Sequence, residues 1–479
     1  MRRVFYLILL LGFITLLVGC DNQESEETPV VFTPYQITPY ITKGDKSALL
    51  EEQTPFFTEE GIEAGYSKVT IDSNTTYQTM DGFGAAMTES SAYLISNLTP
   101  EQREAVMQDL FGPSGINMSF VRIPMGASDF ALSNYSYNDL PDGQTDVDMA
   151  NFSITRDEQY VIPMLQMAKG INDKISFLGS PWSAPAWMKT TNTMNGGSLK
   201  NEYLDAYATY FVKFVQAYQD KGIDIYAVTP QNEPLHQTTG YPTMYMTSQQ
   251  QLTFVIKLNQ AFEQNNIDTL IISYDHNWDQ PGYPMSILAS ENGYQAVDGS
   301  GFHCYGGEVS AQAQVAENYP DKGIWFTECS GGGWATNFQS NMAWNLENVF
   351  IGSINYFAKG VLMWNIALDD NDGPTNGGCM NCRGVVTIHE DGTYTRNEEY
   401  YFIGHFSKFV KPGAKRIKLE STHTSLIATA FINPNGELVV VMHNKSRSTI
   451  NYTLDINGSK ASLSIPGSTS ATYVISQLS

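Results

Sequence analysis

The sequence predicts an α/β protein, a (β/α)8 barrel with a β-sandwich attached at its side. In the middle of the chain, eight apolar, strand-like runs alternate with helical patterns, as parallel barrels require. The segment 415–478 differs, because short alternating strands are separated there by turns such as Asn433-Pro434-Asn435-Gly436. A chain of 479 residues has room for a barrel of about 250 residues and a second domain.

Each predicted barrel strand is a short apolar run that ends at polar or turn residues. In chain order the runs are 82–87, 119–124, 175–180, 225–229, 270–273, 297–303, 324–327 and 360–364. Helical patterns lie between them. Thr99 and Pro100 have the residue types of an N-cap and a first helical position. Segment 202–221 places six aromatic residues near one face of a helix. We therefore assign 81–411 to the barrel and 412–479 to the sandwich.

The first 19 residues predict a signal peptide. Arg2 and Arg3 precede an apolar run from 4 to 18, which is short for a transmembrane helix. The run ends in Leu17-Val18-Gly19-Cys20, which resembles a bacterial lipobox. This pattern predicts cleavage before Cys20 and lipidation of its thiol. The alternative is an ordinary signal peptide with an incidental cysteine.

Residues 20–35 predict an acidic tether. Glu24, Glu26 and Glu27 lie in a polar stretch without periodicity, which is typical of disorder. Similar acidic runs occur in surface-export signals of some lipoproteins. The N-terminal segment thus predicts an exported bacterial lipoprotein, held at the outer membrane or cell surface, whose only membrane contact is its lipid anchor.

The charge balance limits the classes of partner. The chain has 27 Lys and Arg against 50 Asp and Glu, a net charge of -23. Such a charge argues against nucleic-acid binding and against anionic lipid surfaces bound by charge alone. It is compatible with a neutral substrate.

Four cysteines remain besides Cys20, namely Cys304, Cys329, Cys379 and Cys382. Cys379 and Cys382 flank two residues in a Gly/Asn-rich loop and predict a small disulfide, which an exported protein permits. A zinc site made from all four is the alternative, but the Cys-x2-Cys spacing occurs only once. Cys329 fits a small packed residue better than a nucleophile, and the pairing of the four stays open.

Two glutamates carry the predicted chemistry. Glu233 lies in Thr229-Pro230-Gln231-Asn232-Glu233-Pro234 and Glu328 lies in Trp325-Phe326-Thr327-Glu328-Cys329, each after an apolar run. On the barrel interpretation they follow strands 4 and 7, at the face where barrel active sites lie. A retaining glycosidase needs an acid and an ionised nucleophile about 5–5.5 Å apart. Glu233 fits the acid/base and Glu328 the nucleophile; the alternative is a pair of solvated surface carboxylates.

Polar and aromatic residues at other strand ends predict the substrate pocket. Asn232 fits a donor to the sugar 2-hydroxyl. Trp182 and Trp364 offer flat apolar faces for a sugar ring, although core packing is the usual role of tryptophan, and Trp187 fits the core better. Asp129 fits a partner for sugar hydroxyls or, alternatively, a helix or turn cap.

Four further residues complete the predicted site, namely His303, Tyr305 and Tyr241 as substrate-binding residues and Arg122 as a supporting residue. The hydroxyl of Tyr305 is placed to orient the nucleophile, and His303 beside it fits either a binding residue or a structural histidine. Tyr241, in the loop after strand 4, is a candidate to bond a carboxylate. Arg122, inside strand 2, would stabilise the nucleophile by charge or form a structural salt bridge.

Several segments together resemble glycoside hydrolase family 30, which includes lysosomal glucosylceramidase and microbial endo-β-1,6-glucanases. They occur in family order over residues 66–478 and are Asp81-Gly82-Phe83-Gly84-Ala85-Ala86-Met87-Thr88-Glu89, Ser180-Pro181-Trp182, Gln231-Asn232-Glu233-Pro234, His303-Cys304-Tyr305, Thr327-Glu328-Cys329 and Met363-Trp364-Asn365-Ile366-Ala367-Leu368.

The resemblance implies a barrel plus side sandwich and hydrolysis with retention of configuration. It implies Glu233 as acid/base and Glu328 as nucleophile, with no metal or organic cofactor. It also implies that residues 36–80 join the sandwich. The glucose contacts that it implies are Asp129, Trp182, Asn232, Trp364 and Asn376.

One segment departs from the lysosomal member. Residues 377–384, with Cys379 and Cys382, are similar to microbial members, which argues against a ceramide glucoside as substrate. An exported protein facing external polysaccharide fits an endo-β-1,6-glucanase better. The alternatives are a glucosylceramidase or exo-β-glucosidase and, outside the enzymes, a glycan-binding surface lipoprotein, which would have no need of both glutamates.

Overall fold

The computed structural model describes residues 34–478 except 63, 64 and 66. The predicted signal peptide, Cys20 and almost all of the predicted tether lie outside the described residues. Within the described part, no helix is long and apolar enough to cross a membrane.

Eight parallel strands form a closed barrel, so the predicted fold class is confirmed. Strands 1 to 8 of the barrel are Gly82–Ala86, Phe120–Pro124, Ser176–Ser180, Ile225–Val228, Leu270–Asn277, Gly299–His303, Gly323–Glu328 and Ala358–Asn365. Each pairs with the next strand in the chain, and strand 8 pairs with strand 1. This parallel order brings all eight carboxyl ends to one face, where the loops build the site.

Helices connect the strands and cover the outside of the barrel. They are Glu89–Ser96, Pro100–Phe111, Val161–Ile171, Leu204–Asp220, Ser248–Gln264, Gly282–Leu288, Glu291–Ala296, Ala311–Asn318, Phe338–Trp344, Ile351–Asn355 and Glu398–Ser407. A π-helical turn, Asn345–Phe350, joins two of them, and short 3-10 turns are Asp157–Gln159, Ala186–Met188 and Asn201–Tyr203. The predicted N-cap is present, because Thr99 and Gln102 form a capping box with Pro100 in the first turn.

Two apolar layers hold the barrel together. Apolar side chains from most of the strands fill the interior of the barrel. Phe120, Leu178 and Trp325 are among them, and all three are essentially excluded from solvent. The outer layer lies between strands and helices, where the aromatic face of Leu204–Asp220 packs; Tyr207, Phe211 and Phe254 contact one another there. These layers fix the strand ends that carry the polar site.

The sandwich is built from both ends of the described chain. Its strands are Tyr35–Lys43, Glu51–Glu52, Phe56–Phe57, Lys68–Thr79, Lys415–Ser421, Leu426–Ile432, Leu438–Asn444, Ile450–Ile456, Ser459–Ile465 and Thr469–Gln477. Tyr35–Lys43 pairs along its whole length with Thr469–Gln477. Residues such as Ile37, Val69 and Val440 form a core separate from that of the barrel.

Two small sheets complete the face that carries the loops. Gly331–Gly332, after barrel strand 7, pairs with Cys382–Arg383, after strand 8. Ala367–Asp369, Val386–Ile388 and Tyr394–Arg396 form the other sheet. The loops that follow strands 7 and 8 are therefore tied together beside the predicted site.

Candidate active site

Glu233 and Glu328 converge at the carboxyl face of the barrel. Glu328 is the last residue of strand 7, and Glu233 lies in the loop after strand 4. One carboxylate oxygen from each and one ring nitrogen of His303 lie within 4.8 Å of one another. This short spacing fits a retaining glycosidase, since inverting enzymes hold their carboxyl groups about 6.5–9.5 Å apart.

The loop that carries Glu233 is fixed to its neighbours by backbone hydrogen bonds. Asn232 N–H donates to the Pro181 carbonyl and Glu233 N–H to the Asp275 carbonyl, both at 2.9 Å. Glu233 has a φ of 46°, a left-handed conformation that is uncommon for glutamate. Such a residue costs on the order of 1–3 kcal/mol and persists because its surroundings hold it. The bonds to Pro181, which follows strand 3, and to Asp275 of strand 5 supply that restraint.

Both oxygens of Glu328 have donors. Arg122 Nη1 binds Oε2 in a buried salt bridge, and the Tyr305 hydroxyl donates to Oε1 at 2.9 Å. Burial raises the pKa of Glu328, while His303, Arg122 and Tyr305 act in the opposite direction. Tyr305 and Arg122 thus both contact the carboxylate that the sequence analysis predicts to be the nucleophile.

Arg122 reaches several polar groups from inside strand 2. Its Nη2 contacts Asp275 Oδ2 at 2.7 Å, Asn232 Oδ1 at 2.8 Å and Ser180 Oγ at 3.1 Å. Because Oδ1 of Asn232 is bound in this way, Nδ2 is the atom left to donate. Burial lowers the pKa of Arg122, but Asp275 and Glu328 reverse the effect and raise it. Arg122 thus forms salt bridges with both Glu328 and the buried carboxylate of Asp275.

Asp275, which the sequence analysis missed, links the surroundings of both glutamates. It is fully buried and accepts hydrogen bonds from Arg122, Ser180, Thr229, Thr327 and His303. Burial alone would raise the pKa of Asp275, but Arg122 and His303 hold it well below its usual range. Asp275 is therefore ionised at neutral pH. It contacts Arg122, which binds Glu328, and His303, which contacts Glu233.

His303 bridges Asp275 and Glu233. Its Nε2 lies 2.9 Å from Asp275 Oδ1 and its Nδ1 lies 3.3 Å from Glu233 Oε1. Burial disfavours the proton on His303, but Glu328, Asp275 and Glu233 outweigh it and raise the pKa of His303 to about 9. The charge of His303 in turn lowers the pKa of Glu233, against the effect of burial. His303 is thus a buried cation that contacts one catalytic candidate directly.

A bulge at the end of strand 5 explains why its site residues were missed. Tyr274 and Asp275 both have positive φ, 72° and 69°, and the pairing with strand 6 shifts register beside them. Such a bulge re-aims side chains. Asp275 and the next residue, His276, therefore both reach the site, although adjacent residues of a regular strand face opposite ways. His276 Nε2 lies 3.8 Å from Glu233 Oε1, and burial lowers the pKa of His276 to about 4.

The two glutamates line a cavity of about 480 Å³. Trp364, Asp129, Tyr241, Tyr305 and Trp334 are among its other lining residues. Burial, with the negative charges of Glu328 and Glu233, raises the pKa of Asp129 well above its usual range. Its buried Oδ1 has no hydrogen-bond partner among the described residues. Asp129 therefore lines the cavity with a carboxyl group that has hydrogen-bonding capacity left for a sugar hydroxyl.

Trp182 and Trp364 form a stacked pair at the predicted site. Their ring centroids lie 4.8 Å apart, and Arg122 lies 4.8 Å from the Trp182 centroid. Both indoles are 3% exposed. Trp364 lines the catalytic cavity and Trp182 does not, because the Trp182 ring lies against Trp364 and Arg122. Trp187 belongs to the core, where its N–H bonds Asn138.

Two loop residues differ from the prediction. The Tyr241 hydroxyl contacts His236 Nε2 at 2.9 Å instead of a carboxylate, although its ring does line the cavity. Asn376 donates its amide to the Ser128 carbonyl and to Asn134 Oδ1, at 3.0 and 2.7 Å. Asn376 does not line the cavity. Its two hydrogen bonds connect the loop after strand 8 to the loop after strand 2.

The four described cysteines form two disulfides, Cys304–Cys329 and Cys379–Cys382. The alternative of a four-cysteine zinc site is therefore wrong, and Cys329 is buried as expected but is bonded to Cys304. The Cys379–Cys382 bridge lies at the edge of the cavity. Next to it, Gly378 approaches Asp129 so closely that an added Cβ would lie 2.3 Å from its Cβ.

One group in the described part of the chain has a spacing that would suit a metal, namely Glu233, His303 and Glu328. These side chains already have other partners. Glu328 is paired with Arg122, and both ring nitrogens of His303 contact carboxylates. The positive charges of Arg122 and His303 would repel a cation, so the set is arranged for acid–base chemistry.

Two carboxyl groups that face one aromatic-lined cavity at the carboxyl end of a (β/α)8 barrel define a glycoside hydrolase. Comparisons with known proteins give the family. A model of the glycosyl hydrolase family 30 TIM-barrel domain matches residues 80–410, and one of the family's β-sandwich domain matches 413–473. The chain belongs to glycosyl hydrolase family 30.

Similar proteins have related names. The chain is 32% identical over 438 residues to endo-1,6-beta-D-glucanase neg1 of Aspergillus fumigatus, covering 85% of this chain and 88% of that one. It is 31% identical over 397 residues to putative glucosylceramidase 2 of Caenorhabditis elegans, covering 79% and 76%. The solved structure of the endo-beta1,6-glucanase BT3312 superposes with a TM-score of 0.84 at 32% identity, covering 92% and 99%.

Proposed function

We propose that this protein is a retaining endo-β-1,6-glucanase in which Glu328 is the nucleophile and Glu233 the acid/base. The observation that carries the proposal is the approach of the two carboxyl groups to within 4.8 Å, with Arg122 and Tyr305 on Glu328 and His303 on Glu233. Arg122 and Tyr305 hold Glu328 in place, and His303 places a proton beside Glu233.

The reaction follows from these contacts. Glu328, aligned by Arg122 and Tyr305, attacks the anomeric carbon while Glu233 donates a proton to the glycosidic oxygen, which leaves with its sugar. A glycosyl ester of Glu328 forms. Glu233, now a carboxylate, takes a proton from water as that water attacks the anomeric carbon and releases Glu328. Two inversions give retention of configuration.

His303 retains a proton beside Glu233, and the first step requires a proton at this place. His303 Nδ1 lies 3.3 Å from Glu233 Oε1, and His303 holds a proton at neutral pH because its pKa is raised to about 9. Glu328 is one of the charges that raise this pKa. Esterification of Glu328 removes that charge, which eases loss of the proton and leaves Glu233 ready to act as a base.

The residues around the cavity support a neutral sugar substrate. Trp364, Tyr241 and Trp334 line the cavity with aromatic rings, and Asp129 lines it with a carboxyl group that can bond sugar hydroxyls. The names of similar glucanases support β-1,6-glucan, and the similar putative glucosylceramidase keeps a second candidate, a glucosylceramidase or exo-β-glucosidase with the same catalytic residues. A glycan-binding surface lipoprotein would have no need of paired glutamates.

The export and anchoring of this enzyme are further parts of the proposal. The sequence of residues 1–20 supports a lipoprotein signal with Cys20 as the lipidated residue. Two disulfides in the described chain suit an oxidising compartment. Labelled fatty acid should enter the wild type and not a Cys20→Ala variant. Equal labelling of both would contradict the anchor, and protection of the wild type from protease on intact cells would contradict surface display.

Replacement of the glutamates tests the catalytic roles. Glu328→Gln should abolish turnover while the variant still folds and binds sugar; unchanged activity would refute the assignment. Glu233→Ala should impair substrates with poor leaving groups most, and azide should restore part of its activity on activated substrates. Product analysis on β-1,6-glucan, β-1,3-glucan, xylan, β-1,6-galactan and glucosylceramide tests the substrate. Mixed oligosaccharides from β-1,6-glucan are expected, whereas glucose alone would favour the second candidate.

A further inference from the structure

A second cavity, of about 500 Å³, adjoins the catalytic cavity beyond barrel strand 7. The two cavities share Ser330 and Trp334 as lining residues, so they form one continuous depression. Trp344, Asn341 and Asn345 also line the second cavity, which lies over the helix Phe338–Trp344 and the π-helical turn after it. We call it the strand-7 cavity.

The exposed tryptophans of the chain are concentrated there. The sequence has seven tryptophans, and five of them, Trp182, Trp187, Trp278, Trp325 and Trp364, are at most 8% exposed. The other two, Trp334 and Trp344, are 56% and 45% exposed, and both line the strand-7 cavity. Exposure of a large aromatic ring costs free energy unless a ligand covers it. This placement indicates a binding surface.

The remaining lining groups are polar but uncharged. No residue that lines the strand-7 cavity is charged, although the chain has a net charge of -23. Asn345 donates to Asn341 Oδ1 at 2.9 Å, but Asn341 Nδ2 and Asn345 Oδ1 have no hydrogen-bond partner among the described residues. These two side chains are 6% and 3% exposed. Buried amide atoms without partners are uncommon and suit a polar, neutral ligand at this place.

We propose that the strand-7 cavity is a sugar-binding subsite that holds glucosyl residues of the substrate chain beyond those in the catalytic cavity. Pyranose rings present apolar C–H faces that stack on indoles and hydroxyl rims that bond amides, which matches this lining. Continuity through Ser330 and Trp334 makes the polymer under cleavage the occupant. The inference rests on the proposed function. It adds to the cleaved bond a statement about how many glucosyl residues of the chain the enzyme binds.

Chain-length dependence of hydrolysis tests the subsite. Trp344 belongs to the strand-7 cavity and not to the catalytic cavity, so Trp344→Ala should raise KM for long β-1,6-linked oligosaccharides about fivefold or more. The same variant should leave kcat/KM on a short aryl β-glucoside near the wild-type value. Trp344→Phe, which keeps a flat ring, should restore most of the preference for long chains.

A matched control removes an exposed aromatic ring elsewhere. Phe57 is 52% exposed and lies in a sandwich strand, so Phe57→Ala should leave the length preference unchanged. Equal losses for Trp344→Ala on short and long substrates would overturn the subsite in favour of a role in folding. An unchanged length preference in Trp344→Ala would also overturn the subsite. A loss of activity confined to glucosylceramide would overturn it too, because the cavity would then bind an apolar aglycone.

Failure of the proposed substrate gives a different result. If the wild type cleaves the aryl glucoside and β-1,3-linked oligosaccharides but not β-1,6-linked ones, the proposed linkage is wrong. The same Trp344 comparison on the β-1,3 series then decides the subsite on its own. Binding of long oligosaccharides to the inactive Glu328→Gln enzyme, with and without Trp344→Ala, gives a readout that does not depend on turnover; equal affinity of the two would refute the subsite.

Discussion

Cys304 and Cys329 form a disulfide between the residues that follow His303 and Glu328. The bond connects the ends of neighbouring barrel strands 6 and 7 with a separation of only 25 residues. The strand that carries His303, whose imidazole contacts Glu233, is thus covalently linked to the strand that carries the proposed nucleophile.

The double variant Cys304→Ala/Cys329→Ala should be less stable and less active. Removal of a native disulfide that closes a loop of this length costs about 3 kcal/mol, and the freed strand ends should misalign His303 relative to Glu328. Denaturant unfolding measures the first effect, and kcat on an aryl glucoside the second. Wild-type kcat in a destabilised double variant would show that the bridge serves stability alone.

Tyr305→Phe should lower kcat more than it raises KM. The hydroxyl of Tyr305 contacts Glu328 Oε1 at 2.9 Å, and a hydrogen bond to a charged group is worth about 1.5–3 kcal/mol. Loss of this bond should reduce kcat about ten- to a hundredfold, because the carboxylate is no longer held in line with the anomeric carbon. Steady-state kinetics of the variant are the measurement. A change in KM alone would assign Tyr305 to substrate binding instead.

Asp275→Asn should decrease activity about a hundredfold or more, although Asp275 does not line the catalytic cavity. The substitution removes the charge that Arg122 and His303 share, so Arg122 is free to draw Glu328 away and the pKa of His303 should fall. The pH–rate profile of the variant should lose its high-pH limb at lower pH than that of the wild type. A lower rate with an unchanged profile would mean that Asp275 has only a packing role.

Stability should fall as pH rises towards about 9. The pKa of His303 is raised in the folded protein from 6.5 to about 9, so the folded state binds this proton more tightly than the unfolded state does. Its contribution, on the order of 3 kcal/mol, is fully present below about pH 6.5 and is lost as pH rises through about 9. Urea unfolding of the wild type and His303→Asn across this range tests the sign. Parallel curves for the two proteins would contradict it.

The barrel was predictable because its strands are short apolar runs with polar ends. Each of the eight predicted runs overlaps an observed strand, and the ends of strands 4 and 7 identify both glutamates. Strand 5 is the exception, since the prediction stopped at Ser273 and the strand continues to Asn277. The bulge at Tyr274 and Asp275 breaks the alternation on which sequence patterns depend, so the buried hub of the site remained hidden.

Other features depend on contacts that single-residue reasoning does not supply. Trp182 and Trp364 are equivalent by residue type, and only the barrel geometry stacks one behind the other. Asn376 is a polar loop residue whose amide is used by Ser128 and Asn134. The Cys304–Cys329 disulfide could have been predicted from the sequence. The two cysteines follow strands 6 and 7, which a barrel places side by side.

The pairing of Tyr35–Lys43 with Thr469–Gln477 has a consequence for synthesis of the protein on the ribosome. The first strand emerges more than four hundred residues before its partner exists. At about 5–20 residues per second, it waits roughly 20–90 s for completion of its sheet. The barrel, whose neighbouring strands are close in sequence, can fold during that interval, while the early strand carries an unpaired edge. A chaperone that covers this edge would therefore increase the yield of the nascent chain without any contact with the enzyme's finished site.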